Sequence, residues 1–442
     1  MTGAPEPTWT SVVGGVRQSA ALEVALDVAE RAVGCRDIAD RPAATRDPAP
    51  SPQTWRPYSV AAGDAGLAVL CSYLDRCFPR AGWDATGDKF LRAALRAADR
   101  SAHLSAGLFA GISGLNLTAT LLHRHDTHDQ HPTAALDAEL ASRISLMTSR
   151  LHSGQGLAPM EGHDVVSGVS GVATGLLAHD PYNRLPEVLG ALVWLAARVP
   201  GPPRWATPPE RLVSEPARRF YPYGKLDCGL AHGLPGPLSA LALALLEGHE
   251  VPGQSAAVRH MADWLVEHRS DDGWGVNWPS AIPLSDDRHP PVPGRGTPAR
   301  SAWCYGAPGA AHALWLAGTA LDDRELHDVA TEAMAAVLRR PAHTRFIDSP
   351  TFCHGVAGLL QIVLRFGHAT RLPFLRDAAD PLVEQLLAAY EPDRPWGYAA
   401  LDPGNDPVDR PGLVDGATGV ALVLLAAATD VAPTWDRLFL LS

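Results

Sequence analysis

Four short segments of this sequence place side chains that can bind metal or move protons at matched distances ahead of a glycine. They read HDVVSGVSG (163–171), DCGLAHGLPG (227–236), RSAWCYGAPG (300–309) and SPTFCHGVAG (349–358). Cys304 and Cys353 stand two residues before Gly306 and Gly355, and His232 and His354 stand one before Gly233 and Gly355. Asp164 lies four before Gly168, while Tyr305 and Arg300 lie one and six before Gly306. Two thiols and an imidazole at equivalent positions predict a metal site with Cys304, Cys353 and His354 as ligands, and zinc is the metal such a set favours. Adjacent Cys and His can share one ion where the backbone is not yet helical, and Gly355 allows such a turn. Three protein ligands leave one tetrahedral corner open, the arrangement of a catalytic zinc. With two thiolates the ion is formally neutral and a poor activator of water. It suits an incoming thiol, which would lose its proton yet stay nucleophilic, so the predicted chemistry is thiol addition or alkylation.

Simpler readings stand beside this one. A cysteine near a helix start is ordinarily a small buried hydrophobe. A Cys304–Cys353 disulfide is disfavoured in a reducing compartment, and a Cys–His nucleophilic dyad needs its two groups to face each other from separate elements. Cys228 competes as a ligand but sits five residues before its glycine, out of phase with the others. Cys35, Cys71 and Cys77 are expected to pack in helices.

The elements that must position these groups are repeated. A Gly-x-x-Gly pair begins at Gly63, Gly111, Gly168, Gly233, Gly306, Gly355 and Gly416, with intervals of 48 to 73 residues, long enough for two helices and their loops. Each pair leads into a run that is apolar on nearly every side, such as GPLSALALALL or GVAGLLQIVL. Between them lie amphipathic segments such as ALEVALDVAERAV and ELHDVATEAMAAVL, the latter with Leu326, Val329, Ala330, Ala333 and Val337 on one face. Fourteen alternating helices are predicted. The all-α solution is an α/α toroid of seven hairpins, with an inner ring of apolar helices and an outer ring of amphipathic ones. An open solenoid is the alternative, but it needs polar capping faces at its ends, and neither terminal helix has one. The paired glycines let the chain turn and enter each inner helix without a Cβ atom in the way. Equivalent positions of a closed ring converge on one end of its central cavity, which is how the four segments would meet.

Proline-rich stretches at 42–57, 199–223, 279–298 and 392–411 carry no helical period and read as long rim loops of a single domain spanning 1–442. DDGWGVNWPS suggests a short hairpin with Trp274 and Trp278 either exposed or packing its turn. The formal charge of −11, with 37 basic against 48 acidic side chains, argues against a nucleic-acid footprint built on clustered Lys and Arg. The N-terminus lacks a basic start followed by an apolar run, and the longest apolar stretches fall well short of the roughly 20 residues a membrane span needs. A cytoplasmic protein with reduced thiols is expected.

With these motifs, AHG at 231–233, WCYG at 303–306 and CHG at 353–355, the chain resembles the lanthionine synthetase C family of zinc-dependent lanthipeptide cyclases, through all seven repeats. The resemblance implies one zinc ion held by Cys304, Cys353 and His354. It implies that a cysteine of a dehydrated precursor peptide, leader plus core, adds to dehydroalanine or dehydrobutyrine to form a lanthionine or methyllanthionine ring, after which the enolate is protonated. His232 matches the family's acid/base histidine and Asp164 the acidic residue beside it. Arg300 matches an arginine that could stabilise the enolate oxygen, and Tyr305 a tyrosine beside the metal ligand. Each has a plainer counterpart: a hydrogen-bonded core histidine, a helix cap at Asp164, a solvated rim arginine. Asp415, one before Gly416, reads as a local cap. The chemistry would require a separate dehydratase. Two other readings stay open: addition of a small thiol such as glutathione to dehydroamino acids in proteins, and a non-catalytic scaffold with structural zinc.

Overall fold

The computed structural model describes residues 9–34, 54–102, 104–123, 132–153, 162–212, 214–285, 299–401 and 405–442. Cys35 and most of the 42–57 and 279–298 stretches lie outside the described residues. In chain order the helices are α1 (Gly15–Gly34), α2 (Asp64–Cys77), α3 (Trp83–Asp99), α4 (Ile112–Leu122), α5 (Ala134–Ser153), α6 (Val169–Ala178) and α7 (Leu185–Ala196). They continue with α8 (Glu215–Phe220), α9 (Pro235–Leu246), α10 (Gln254–Glu267), α11 (Ala307–Leu321), α12 (Arg324–Arg339), α13 (Val356–Thr370), α14 (Pro373–Ala388) and α15 (Ala417–Ala428).

Hydropathy sorts these helices into two layers. The seven that follow the glycine pairs are buried along most of their length; in α15 all twelve residues are buried. They pack side by side in the order α2, α4, α6, α9, α11, α13, α15, and α15 returns to α2, so the inner ring closes. The amphipathic helices lie outside it with one face inward. In α12, Leu326, Ala330, Ala333 and Val337 are buried as the pattern predicts. The seventh hairpin joins the two ends of the described chain. The segment leading into α1 bonds to the end of α15, with Trp9 Nε1 donating to Ala426 O at 2.9 Å and Val12 N to Ala427 O at 3.0 Å.

A second ring, of backbone hydrogen bonds, runs through the loops ahead of the inner helices. The carbonyls two residues before each leading glycine accept in turn: Ala61 N donates to Phe109 O, Phe109 N to Val166 O, Val165 N to Ala231 O and Ala231 N to Cys304 O. Cys304 N then donates to Cys353 O, Cys353 N to Val414 O, and Val414 N to Ala61 O, closing the circle at 3.0–3.4 Å. The reason for the paired glycines is visible here. At the second glycine of every pair, a Cβ atom would meet the carbonyl oxygen six residues earlier, from Val60 O at Gly66 to Leu413 O at Gly419. Close approach, not unusual torsion, excludes side chains there; among all the paired glycines only Gly306, the first of its pair, has a positive φ, 98°.

Several findings refine or differ from the sequence reading. The 199–223 stretch, read as helix-free, contains α8, started by Ser214 Oγ accepting from Ala217 N at 3.2 Å; six residues are too few to display a period. DDGWGVNWPS does form a hairpin, β2 (Ser270–Asp272) with β3 (Gly275–Asn277), and Trp274 is exposed. Trp278 is fully buried instead, its indole N–H bonded to Leu265 O at 2.8 Å. Two further strand pairs were not anticipated: β1 (Lys225–Asp227) with β4 (Ala281–Pro283), and β5 (Ala399–Leu401) with β6 (Pro407–Asp409). The interior of the ring is also largely filled. A 3-10 helix at Thr434–Phe439 enters it against α2, α4 and α6, and Phe439 stacks on Phe352 at 3.8 Å. Asp436, fully buried, accepts from Arg365 at 2.5 and 2.6 Å and from Gln361 at 2.7 Å.

Candidate metal centre

The ring of loop hydrogen bonds delivers the expected ligands to one place. Cys304 and Cys353 are neighbours in that ring through Cys304 N and Cys353 O at 3.2 Å. Their sulfurs and a nitrogen of His354 all lie within 4.8 Å of one another. Among the described residues this is the cluster of Cys, His and carboxylate groups that could hold a metal ion, and its soft, nitrogen-and-sulfur donor set fits the expected metal type. Cys304 is buried, while Cys353 and His354 are half-buried. The hydrogen bond from Cys353 lowers the Cys304 thiol below its ordinary pKa against the penalty of burial, with help from His354. Cys353 is pushed up in return. The two thiols thus ionise unequally, Cys304 before Cys353. His354 is raised, first by its hydrogen bond to Cys304, against burial, with the Asp415 carboxylate adding to the effect.

Asp415 does not cap α15 as its position suggested. Its Oδ1 lies 3.7 Å from His354 Nδ1 and is buried without a hydrogen-bond partner among the described residues.

A second constellation adjoins the cluster. His232 Nδ1 is 2.9 Å from Asp164 Oδ2, and the carboxylate is fully buried. The two readings of Asp164 prove compatible, because its other oxygen accepts from Ser167 N at 2.9 Å and Gly168 N at 2.6 Å at the start of α6. Burial works against a charge on His232, but the Asp164 hydrogen bond, with the charges of Asp164, Asp227 and Cys304, outweighs it and raises the imidazole above 6.5. Such a ring can stay protonated near neutrality and give that proton away. Tyr305 lies beside it, ring centroids 6.3 Å apart, and donates its hydroxyl to Asp227 Oδ2 at 3.2 Å. Burial raises the Tyr305 phenol well above 10, with Asp227 and Cys304 adding to it. Arg300 is exposed, and its charge acts on Cys353 and His354.

Cys228 stays outside the cluster. It is buried, its thiol faces Leu226 O at 3.8 Å, and burial raises its pKa. Cys71 and Cys77 lie in α2, as expected of helix packing. Two groups of the site escaped the sequence reading. Asp227, six residues before Gly233, occupies the same slot as Arg300, and that equivalence could have found it. His163, next to Asp164, is buried and held neutral by desolvation against the pull of Asp164 and Asp227.

Residues 54–440 match the family model for lanthionine synthetase C-like proteins. Over 207 residues, 46% of this chain, the sequence is 28% identical to nisin biosynthesis protein NisC of Lactococcus lactis subsp. lactis; that stretch spans about half of the relative, 49%. The solved structure of nisin cyclase superposes with a TM-score of 0.73 at 21% identity, covering 87% of this chain and 92% of that one. The toroidal fold is common to both. No helix among the described residues is long and apolar enough to cross a membrane.

Proposed function

Because the chain belongs to the lanthionine synthetase C-like family, we propose that it is a zinc-dependent peptide cyclase that adds cysteine thiols to dehydroalanine or dehydrobutyrine and forms lanthionine or methyllanthionine rings. The observation that carries this reading is the meeting of Cys304, Cys353 and His354 beside the His232–Asp164 pair at one end of a closed ring. Water-activating chemistry is disfavoured by the two thiolates. Zinc held by Cys304, Cys353 and His354 would lower the pKa of a substrate thiol while leaving its sulfur nucleophilic.

The residues around the cluster supply the rest. As the sulfur–carbon bond forms at the β-carbon, the π electrons move to the carbonyl oxygen and give an enolate. Arg300, exposed and within the field of the cluster, stabilises that oxygen. His232, held by Asp164 in one orientation and kept charged by it, delivers the proton to the α-carbon. Tyr305 lines the same side. The substrate is a dehydrated precursor peptide, prepared by a separate dehydratase, and the reaction takes place in the cytoplasm, where the thiols stay reduced.

The test is to supply a dehydrated precursor to purified, zinc-loaded protein and count free thiols by alkylation and mass spectrometry. Cyclisation leaves the mass unchanged and removes alkylatable thiols. Intact thiols with zinc bound would overturn the reading. Retained activity in His232→Ala would remove His232 from it, since loss of a positioned acid is expected to slow the reaction by about 10²–10⁴-fold.

A further inference from the structure

We infer that Asp227 and Gly229 together form a seat that positions Tyr305 in the site, so that Asp227 acts on the reaction through Tyr305. This rests on the cyclase reading and adds residues to its machinery. Asp227 ends β1, which pairs with β4 ahead of the fourth glycine pair, and only 5% of it is exposed. Its carboxylate is fully committed. Oδ2 accepts from Tyr305 Oη at 3.2 Å and from Lys225 Nζ at 2.8 Å, and Oδ1 accepts from Gly229 N at 3.1 Å. Lys225 balances the charge, so a buried carboxylate is tolerated here without being an acid for the substrate.

Gly229 is the second half of the seat. A Cβ atom there would come within 2.5 Å of Tyr305 Cδ1 and 2.7 Å of Tyr305 Cε1, and would meet the Cys304 carbonyl oxygen as well. The phenol ring therefore lies against bare backbone, with its hydroxyl pinned at the far end. Tyr305 follows the metal ligand Cys304 directly in sequence and faces His232. Its hydroxyl donates to Asp227, so in this arrangement Tyr305 presents its ring beside His232 and its hydroxyl hydrogen is not offered to the substrate. A tyrosine with one rotamer and one hydroxyl direction is a positioned wall for the enolate. An unseated one has neither property.

The experiment uses the zinc-loaded full chain and a dehydrated precursor, with Asp227→Ala, Asp227→Asn, Gly229→Ala, Tyr305→Phe and the Asp227→Ala/Tyr305→Phe pair. If the seat acts through Tyr305, Asp227→Ala lowers kcat about tenfold to a hundredfold, the cost of losing a hydrogen bond to a charged group, with KM little changed. The double variant is then no slower than Tyr305→Phe alone. Asp227→Asn recovers part of the loss, because its carboxamide oxygen can still accept from Tyr305 while its NH2 faces the Gly229 N–H. Gly229→Ala mimics Asp227→Ala with the carboxylate intact. Independent effects in the double variant, or an unchanged kcat in both Asp227→Ala and Gly229→Ala, overturn the inference. A second arm needs no turnover: with tyrosine labelled by ¹³C at Cζ, the resonance that Tyr305→Phe removes shifts in Asp227→Ala and Gly229→Ala if the seat exists. An unmoved resonance overturns the seat even if the protein cyclises, whereas absent cyclisation with a shifted resonance overturns only the cyclase reading.

Discussion

His232 carries the clearest pH signature of any single residue. Its pKa is raised above 6.5 in the folded chain, chiefly by Asp164 working against burial, so protonation and folding favour each other. The resulting stability is fully present below the unfolded value of about 6.5 and is lost as pH rises through the raised folded value. In Asp164→Asn the backbone bonds from Ser167 and Gly168 survive but the charge that supports the imidazolium is gone. NMR titration of His232 should then show a lower pKa, and the alkaline decline of stability, followed by urea unfolding at several pH values, should flatten. An unchanged titration would detach His232 from Asp164. Around the metal cluster, Cys304→Ala and Cys353→Ala should abolish zinc retention through gel filtration. Asp415→Asn, which removes a negative charge 3.7 Å from His354 Nδ1, should keep zinc but bind it more weakly in chelator competition. These roles differ in how visible they are in the chain. Cys304, Cys353 and His354 announce themselves by residue type and phase. Asp415 does not, because a carboxylate before a helix reads as a cap and only its neighbour across the ring shows otherwise; Asp227 is visible only through the slot it shares with Arg300.

At the scale of the element, the loop and inner helix form one unit, and both glycines of each pair are closely approached by backbone carbonyls. Gly358→Ala would drive a Cβ atom into Phe352 O and should destabilise the fold by about 1–3 kcal/mol, the range for forced overpacking. Gly190→Ala is the control. It lies within α7 with open space around its Cα, and it should stabilise by about 0.4–1 kcal/mol by restricting the unfolded chain. Denaturant unfolding of both variants checks the contrast; equal effects would deny the carbonyl approach any special weight. The pairs themselves were legible because they recur in phase. The short elements were not: α8 and the strand pairs have three to six residues each, below the length at which a period of 3.6 or 2 separates itself from chance.

The whole molecule is a ring closed twice, by helix packing from α15 to α2 and by hydrogen bonds from Val414 to Ala61, and stoppered by the 3-10 helix. The stopper is held by a buried carboxylate, so Asp436→Ala should leave Arg365 partly buried without its partner and lower stability by about 3–5 kcal/mol. Thermal unfolding measures this, and a small effect would mean that aromatic packing of Trp435 and Phe439 holds the segment by itself.

Residue order alone determined the sevenfold repeat, the division into apolar inner and amphipathic outer helices, and the three metal-ligand candidates, since each follows from local type and spacing. The filled centre, the burial of Trp278, and the partners of Tyr305 and His354 were decided by the folded chain. Those features depend on contacts between groups tens to hundreds of residues apart, for which periodicity has no register. Trp9 and Ala426 meet across 417 positions, and nothing in either neighbourhood names the other.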